Sequence, residues 1–135
     1  VAGGRSVETT AALREINLGR WEGLTKEQIQ INYPDLWQSR WQDLANCRPP
    51  DGESFQDLSA RVVPAFETIA RQAQGHILVV AHAGVIRVIL CHLLGMPLAH
   101  VFRIGQDYGA LNLIDPQVPK IMGVNLRPEM VRGLL

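Results

Sequence analysis

The chain has 135 residues, 47% hydrophobic and 19% charged, enough for one domain with a core of its own. Thirteen basic and thirteen acidic residues cancel, which argues against a nucleic-acid-binding stripe and against an acidic disordered tail. No run approaches the ~18 apolar residues of a membrane span, and the two cysteines, Cys47 and Cys91, lack metal-ligand spacing. Cys91 falls in an apolar helical run and reads as a buried free thiol, which suits a reducing, cytoplasmic compartment.

Taken in order, Val1 to Thr10 reads as a loop feeding a short extended piece near Val7 to Leu13. Leu13 to Thr25, L-R-E-I-N-L-G-R-W-E-G-L-T, fits no single period and is punctuated by Gly19 and Gly23, so an ordered loop is expected. Thr25 with Gln28 forms a capping-box pattern that opens a helix to about Tyr33. Pro34 starts a second helix with Leu36, Trp37, Trp41 and Leu44 on its apolar side. Cys47 to Gly52 is rich in turn residues. Ser54 caps a long amphipathic helix marked by Phe55, Leu58, Val62, Phe66, Ile69 and Ala73. Pro64 should kink that helix or divide it.

The run Ile77 to Val80 reads as a strand buried on both faces, as in a parallel sheet. Ala81, His82, Ala83 and Gly84 turn it into an apolar helix that stops at Gly95 and Pro97. Leu98 to Ile104 suits a short helix. Tyr108 to Ile114 and Lys120 to Val124 suit a hairpin turning at Asp115 and Pro116. The order helix, strand, helix is that of an α/β domain, and no linker divides the chain.

His82 is the first candidate site residue. Ligands of open α/β sheets bind at the carboxyl ends of strands. The free N–H groups of the following helix suit an anion there, and Ala83 and Gly84 leave the backbone accessible. His76, His92 and His100 read as structural. Several chemistries lack their signatures: no P-loop, no G-x-S-x-G elbow, no H-E-x-x-H pair, and no arginine six residues after either cysteine.

Three stretches together resemble the histidine phosphatase superfamily. L-R-E-I-N-L-G-R-W-E-G-L-T is similar to the family's acidic loop, P-D-G-E-S-F (Pro50 to Phe55) to the opening of its long helix, and V-V-A-H-A-G-V-I-R to the turn bearing its second catalytic histidine. The resemblance implies a three-layer α/β/α phosphoglycerate mutase-like fold with a mostly parallel sheet. It implies Glu15 as the acid/base carboxylate and His82 as the histidine contacting the transferring phosphoryl group. Ala83 and Gly84 would bind phosphate, with Arg14, Asn17 and Tyr108 as candidates for the substrate pocket. No metal or cofactor is implied. A carboxyl beside a phosphate dianion keeps its proton to higher pH by like-charge repulsion, so it can protonate a leaving alkoxide. Arg14 and Arg20 could equally be solvated or ion-paired, Trp21 is expected to pack the loop, and Glu22 to brace it. Arg87 is either near the site or simply exposed.

The family's nucleophile is a histidine in an R-H-G motif, and no R-H-G occurs in these residues, nor does the second pocket arginine upstream of the acidic loop. The expectation is therefore the C-terminal two-thirds of a parent domain, residues 1–135, without its N-terminal strand and helix, neither active nor folding alone. The expected partners are the missing N-terminal segment, a small phosphorylated substrate and a second copy in a homodimer; nucleic acid and membrane are not expected. The wording of the loop is nearest the α-ribazole phosphatase and broad-specificity branch, which makes α-ribazole 5'-phosphate, from cobalamin biosynthesis, a candidate substrate. A phosphoglycerate mutase and a non-catalytic phosphate-binding relative are the alternatives.

Overall fold

A computed structural model describes residues 7–131. Residues 7–10 carry no regular structure, and a 3-10 turn at Ala11–Leu13 replaces the expected extended piece. The Thr10 hydroxyl accepts the Ala12 N–H at 3.3 Å, so the local capping bond overrides extension. The next stretch is the expected ordered loop, tightened by a 3-10 turn at Gly19–Trp21.

Helix α1 (Lys26–Asn32) begins with both bonds of the Thr25–Gln28 capping box. Helix α2 (Pro34–Gln42) has Pro34 at its first turn, where a missing N–H costs nothing. Its apolar side differs from expectation. Trp41 is 54% exposed, while Arg40 is buried. The Arg40 guanidinium carbon lies 5.4 Å from the Trp21 ring centre and 5.7 Å from that of Phe55. An aromatic cage can hold a cation where a periodicity count expects an aliphatic residue.

Helix α3 (Phe55–Gln72) is also capped by a box, Ser54 with Asp57, and runs unbroken through Pro64. Pro64 and Ala60 are both exposed, so water can satisfy the Ala60 carbonyl that proline leaves without a donor. On the opposite face Leu58 and Val62 are fully buried. Each such side chain contributes ~1.5–3 kcal/mol by burial, enough to carry the helix past a proline. The partner surface is helix α4 (Ala83–Leu94), which buries Val85, Val88 and Leu90. Gly95, at φ +61°, ends α4 and donates its N–H to the Cys91 and His92 carbonyls. The expected short helix after it is a 3-10 segment, Leu98–Arg103.

Strands β1 (Leu111–Asp115) and β2 (Lys120–Leu126) form an antiparallel pair, the only sheet among the described residues. Pro128–Val131 adds a 3-10 turn to the tail, and residues 132–135 of that tail lie outside the described residues. The expected buried strand is corrected: Ile77 to Val80 has no ladder partner among the described residues, and Leu78 and Val80 are 76% and 85% exposed. A strand is defined by its neighbour, and apolar character alone does not provide one.

Candidate active site

The Glu15 loop and the start of α4 meet. The Leu13 side chain is buried in the core and anchors the loop from below. The Glu15 carboxylate accepts the Gly84 N–H through Oε2 at 3.1 Å and the adjacent Ile16 N–H through Oε1 at 2.9 Å. Gly84 lies in the first turn of α4, where backbone N–H groups lack helical acceptors and the dipole favours negative charge. A Cβ on Gly84 would overlap Glu15 Oε1, so this glycine makes room for the carboxylate itself. Its N–H, expected to face a phosphate, is taken by Glu15 here.

His82 is the residue immediately before α4. It is exposed, and its side chain makes no capping bond to the helix. Ala83 opens the helix beside it. Glu15 and His82, 67 positions apart in the chain, are thereby brought to one helix terminus.

The other candidates separate. Arg14 is exposed. Asn17 is committed to the loop: its Oδ1 accepts the Gly19 N–H at 2.8 Å and its Nδ2 donates to the Asp51 carbonyl at 3.4 Å. Tyr108 is fully exposed in the turn before β1. Short polar segments on either side of it hydrogen-bond among themselves and leave the ring without a surface to pack on. Arg20 forms an exposed ion pair with Asp51 at 2.8 Å. Arg87 donates to the Ile104 carbonyl at 2.9 Å and stacks over Phe102. Trp21 packs the loop, being 3% exposed, and Glu22 braces it by accepting the Leu18 N–H at 2.8 Å. Among the described residues no three His, Cys, Asp or Glu side chains converge as metal ligands would.

Two residues escaped the sequence reading. Arg61 of α3 donates to the carbonyls of Ala12 (2.8 Å), Arg14 (2.9 Å) and Glu15 (3.0 Å). It also forms a two-pronged ion pair with Glu53, both bonds at 2.8 Å. Glu53 in turn accepts the Asn17 N–H at 2.9 Å, and its own N–H donates to the Asn17 carbonyl at 2.7 Å. The guanidinium holds the Glu53 carboxyl below the usual carboxylate range, against the opposing effect of burial. The available signal was a charge at position 61, beside Val62 and three residues after Leu58, on the apolar face of α3.

The family model for the histidine phosphatase superfamily (branch 1) matches residues 1–122. The chain belongs to that superfamily. Among curated relatives, human 6-phosphofructo-2-kinase/fructose-2,6-bisphosphatase 3 is 40% identical over 87 residues, which are 64% of this chain and 16% of that protein. The Caenorhabditis elegans 6-phosphofructo-2-kinase/fructose-2,6-bisphosphatase is 38% identical over 90 residues, 67% of this chain and 19% of that one. The chain thus spans less than a fifth of these relatives. Among solved structures, a candidate α-ribazole-5'-P phosphatase from Escherichia coli superposes with a TM-score of 0.80 at 25% identity, covering 93% of this chain and 64% of that one. A mycobacterial glucosyl-3-phosphoglycerate phosphatase gives 0.69 at 30%, covering 81% and 57%. These matches establish the α/β phosphoglycerate mutase-like fold of the superfamily.

Proposed function

We propose that this chain carries the acid/base half of a phosphomonoesterase site. The observation that carries the reading is the Glu15 carboxylate on the first turn of α4, beside His82. In the first step a histidine, supplied by a preceding segment of the same protein, attacks phosphorus. The P–O bond to the substrate breaks, and protonated Glu15 gives its proton to the leaving oxygen. In the second step water attacks phosphorus, the P–N bond breaks and returns its electron pair to the histidine, Glu15 takes the water proton, and inorganic phosphate leaves. His82 and the Ala83 N–H stabilise the equatorial oxygens throughout. Residues 1–135 are then most of one domain whose remaining part holds the nucleophile. The incomplete coverage of the solved neighbours, 64% and 57%, supports this.

For the substrate we favour α-ribazole 5'-phosphate, supported by the Escherichia coli neighbour. A sugar bisphosphate is the second reading, supported by the identity to the fructose-2,6-bisphosphatases. Two free cysteines accord with a cytoplasmic location, and no helix among the described residues is long and apolar enough to cross a membrane.

The test begins with the sequence upstream of Val1. An R-H-G segment is expected there. In a chain that includes it, Glu15→Gln should lower kcat/KM for an alkyl phosphate by ~10²–10⁴, and His82→Ala by ~10²–10³. Wild-type turnover in both variants would overturn the assignment, and a panel of the two substrate classes would rank them.

A further inference from the structure

The geometry points to Arg61 and Glu53 as a positioning pair that fixes the Glu15 carboxyl against the reacting phosphate. This rests on the reading of Glu15 as proton donor given above, and extends it to residues that touch no substrate.

Arg61 uses all five of its N–H donors. Nε and one Nη2 hydrogen go to Glu53, the other Nη2 hydrogen to the Glu15 carbonyl, and both Nη1 hydrogens to the carbonyls of Ala12 and Arg14. Glu53 grips the far side of the same loop, taking both the N–H and the carbonyl of Asn17. The backbone is therefore pinned from residue 12 to residue 17, with Glu15 inside the pinned span. The Glu15 side chain has one bond to another element, to Gly84 N–H; its other bond is to its own neighbour, Ile16. The carboxyl is accordingly only as well placed as the backbone beneath it.

The pair suits this task by its chemistry. The guanidinium fork is rigid and planar, so five bonds define one orientation. The two side chains are about four-fifths buried, at 20% and 17% exposure, so water cannot replace the bonds freely. Removing Arg61 would strand three carbonyls and an ionised, largely buried Glu53. The loop would relax, and a shift of ~1 Å in a reacting group can cost ~10²-fold in rate.

The discriminating readout is leaving-group dependence. An alkyl phosphate needs a proton on its leaving oxygen, whereas the phenolate of p-nitrophenyl phosphate departs unaided. The ratio of kcat/KM for glycerol phosphate to that for p-nitrophenyl phosphate, in a chain including the R-H-G segment, therefore reports the proton donor. It is unaffected by how much of the protein is folded. Glu15→Gln sets the benchmark, a fall in this ratio of at least about tenfold. Arg61→Met is expected to lower the ratio at least about fivefold, and Arg61→Lys, which keeps the charge with three donors, to lower it less. Glu53→Gln preserves shape and covers an Arg61 variant that fails to fold; a fall of about threefold or more is expected there. A ratio unchanged in the Arg61 and Glu53 variants, with Glu15→Gln at its benchmark, overturns the positioning role alone. A ratio unchanged in Glu15→Gln itself overturns the proton-donor reading and this proposal with it.

Discussion

Gly84→Ala probes the meeting of Glu15 and α4 with one methyl group. The added Cβ would overlap Glu15 Oε1 and lie 3.2 Å from its Cδ. The carboxylate must withdraw by roughly 1 Å to regain ordinary van der Waals separation. The Gly84 N–H bond at 3.1 Å is then stretched or lost. A hydrogen bond to a charged group contributes ~1.5–3 kcal/mol, against which alanine gains up to ~1 kcal/mol of helix propensity. The net cost is on the order of 1 kcal/mol, a fall in Tm of a few degrees. Activity should fall far more. A displacement of ~1 Å predicts a loss of ~10² in kcat/KM for an alkyl phosphate, in a chain with the R-H-G segment. In a Glu15→Gln background the same alanine should cost little, because the group it displaces no longer donates a proton. An alanine variant within about threefold of wild type would refute this reasoning. So would an equal loss in both backgrounds, which would place the methyl group in the path of the phosphate.

Arg40→Ala should destabilise by ~2–4 kcal/mol in urea unfolding, through the cavity left between Trp21 and Phe55. Arg40→Met, which fills the space and removes a desolvated charge, should stay within ~1.5 kcal/mol of wild type. Arg61 holds the Glu53 carboxyl below its ordinary range, and Arg48 with the Ser54 N–H holds that of Asp57 well below it. Both contributions are complete above the unfolded values near ~4 and are lost as pH falls through the lower folded values. Urea unfolding followed from neutral pH into the acid range should show that loss, and Glu53→Gln should make it shallower. Burial raises the Cys91 thiol, which is 1% exposed, so a thiol reagent should label it only on unfolding, with Cys47 reacting first.

Features with local causes were legible in the sequence. Thr25 and Gln28 stand three residues apart, and Ser54 heads an apolar repeat, so both helix starts could be read from neighbours. Gly95 announced the end of α4 in the same way. Glu15 and His82 were found through motifs, and the structure brings their segments together. Features with distant causes were not legible. Arg61 meets carbonyls 46 to 49 positions earlier, and no periodicity encodes such a pairing. Arg40 is buried because two distant segments bring the rings of Trp21 and Phe55 against it. Pro64 looks like a breaker in the sequence because the exposure of its turn, which lets water replace the missing bond, depends on where α4 packs.

The chain leaves the Glu15 loop and returns to it at almost one point. Arg20 N–H donates to the Pro50 carbonyl at 2.9 Å, and Gly19, at φ +55°, lies so close to Pro50 and Gly52 that a Cβ would overlap them. Everything between, including α1 and α2, is a detour with touching ends. The closure entropy of such an excursion grows only with the logarithm of its length, and what ties it to the rest of the protein is the packing of Arg40 and Leu44. Its exposed turns can therefore change in length without moving the Glu15 loop. A graft that exchanges only the exposed residues between 24 and 49, and keeps Arg40 and Leu44 with Gly19, Gly52, Glu53 and Arg61, would leave the Glu15 carboxylate where it is.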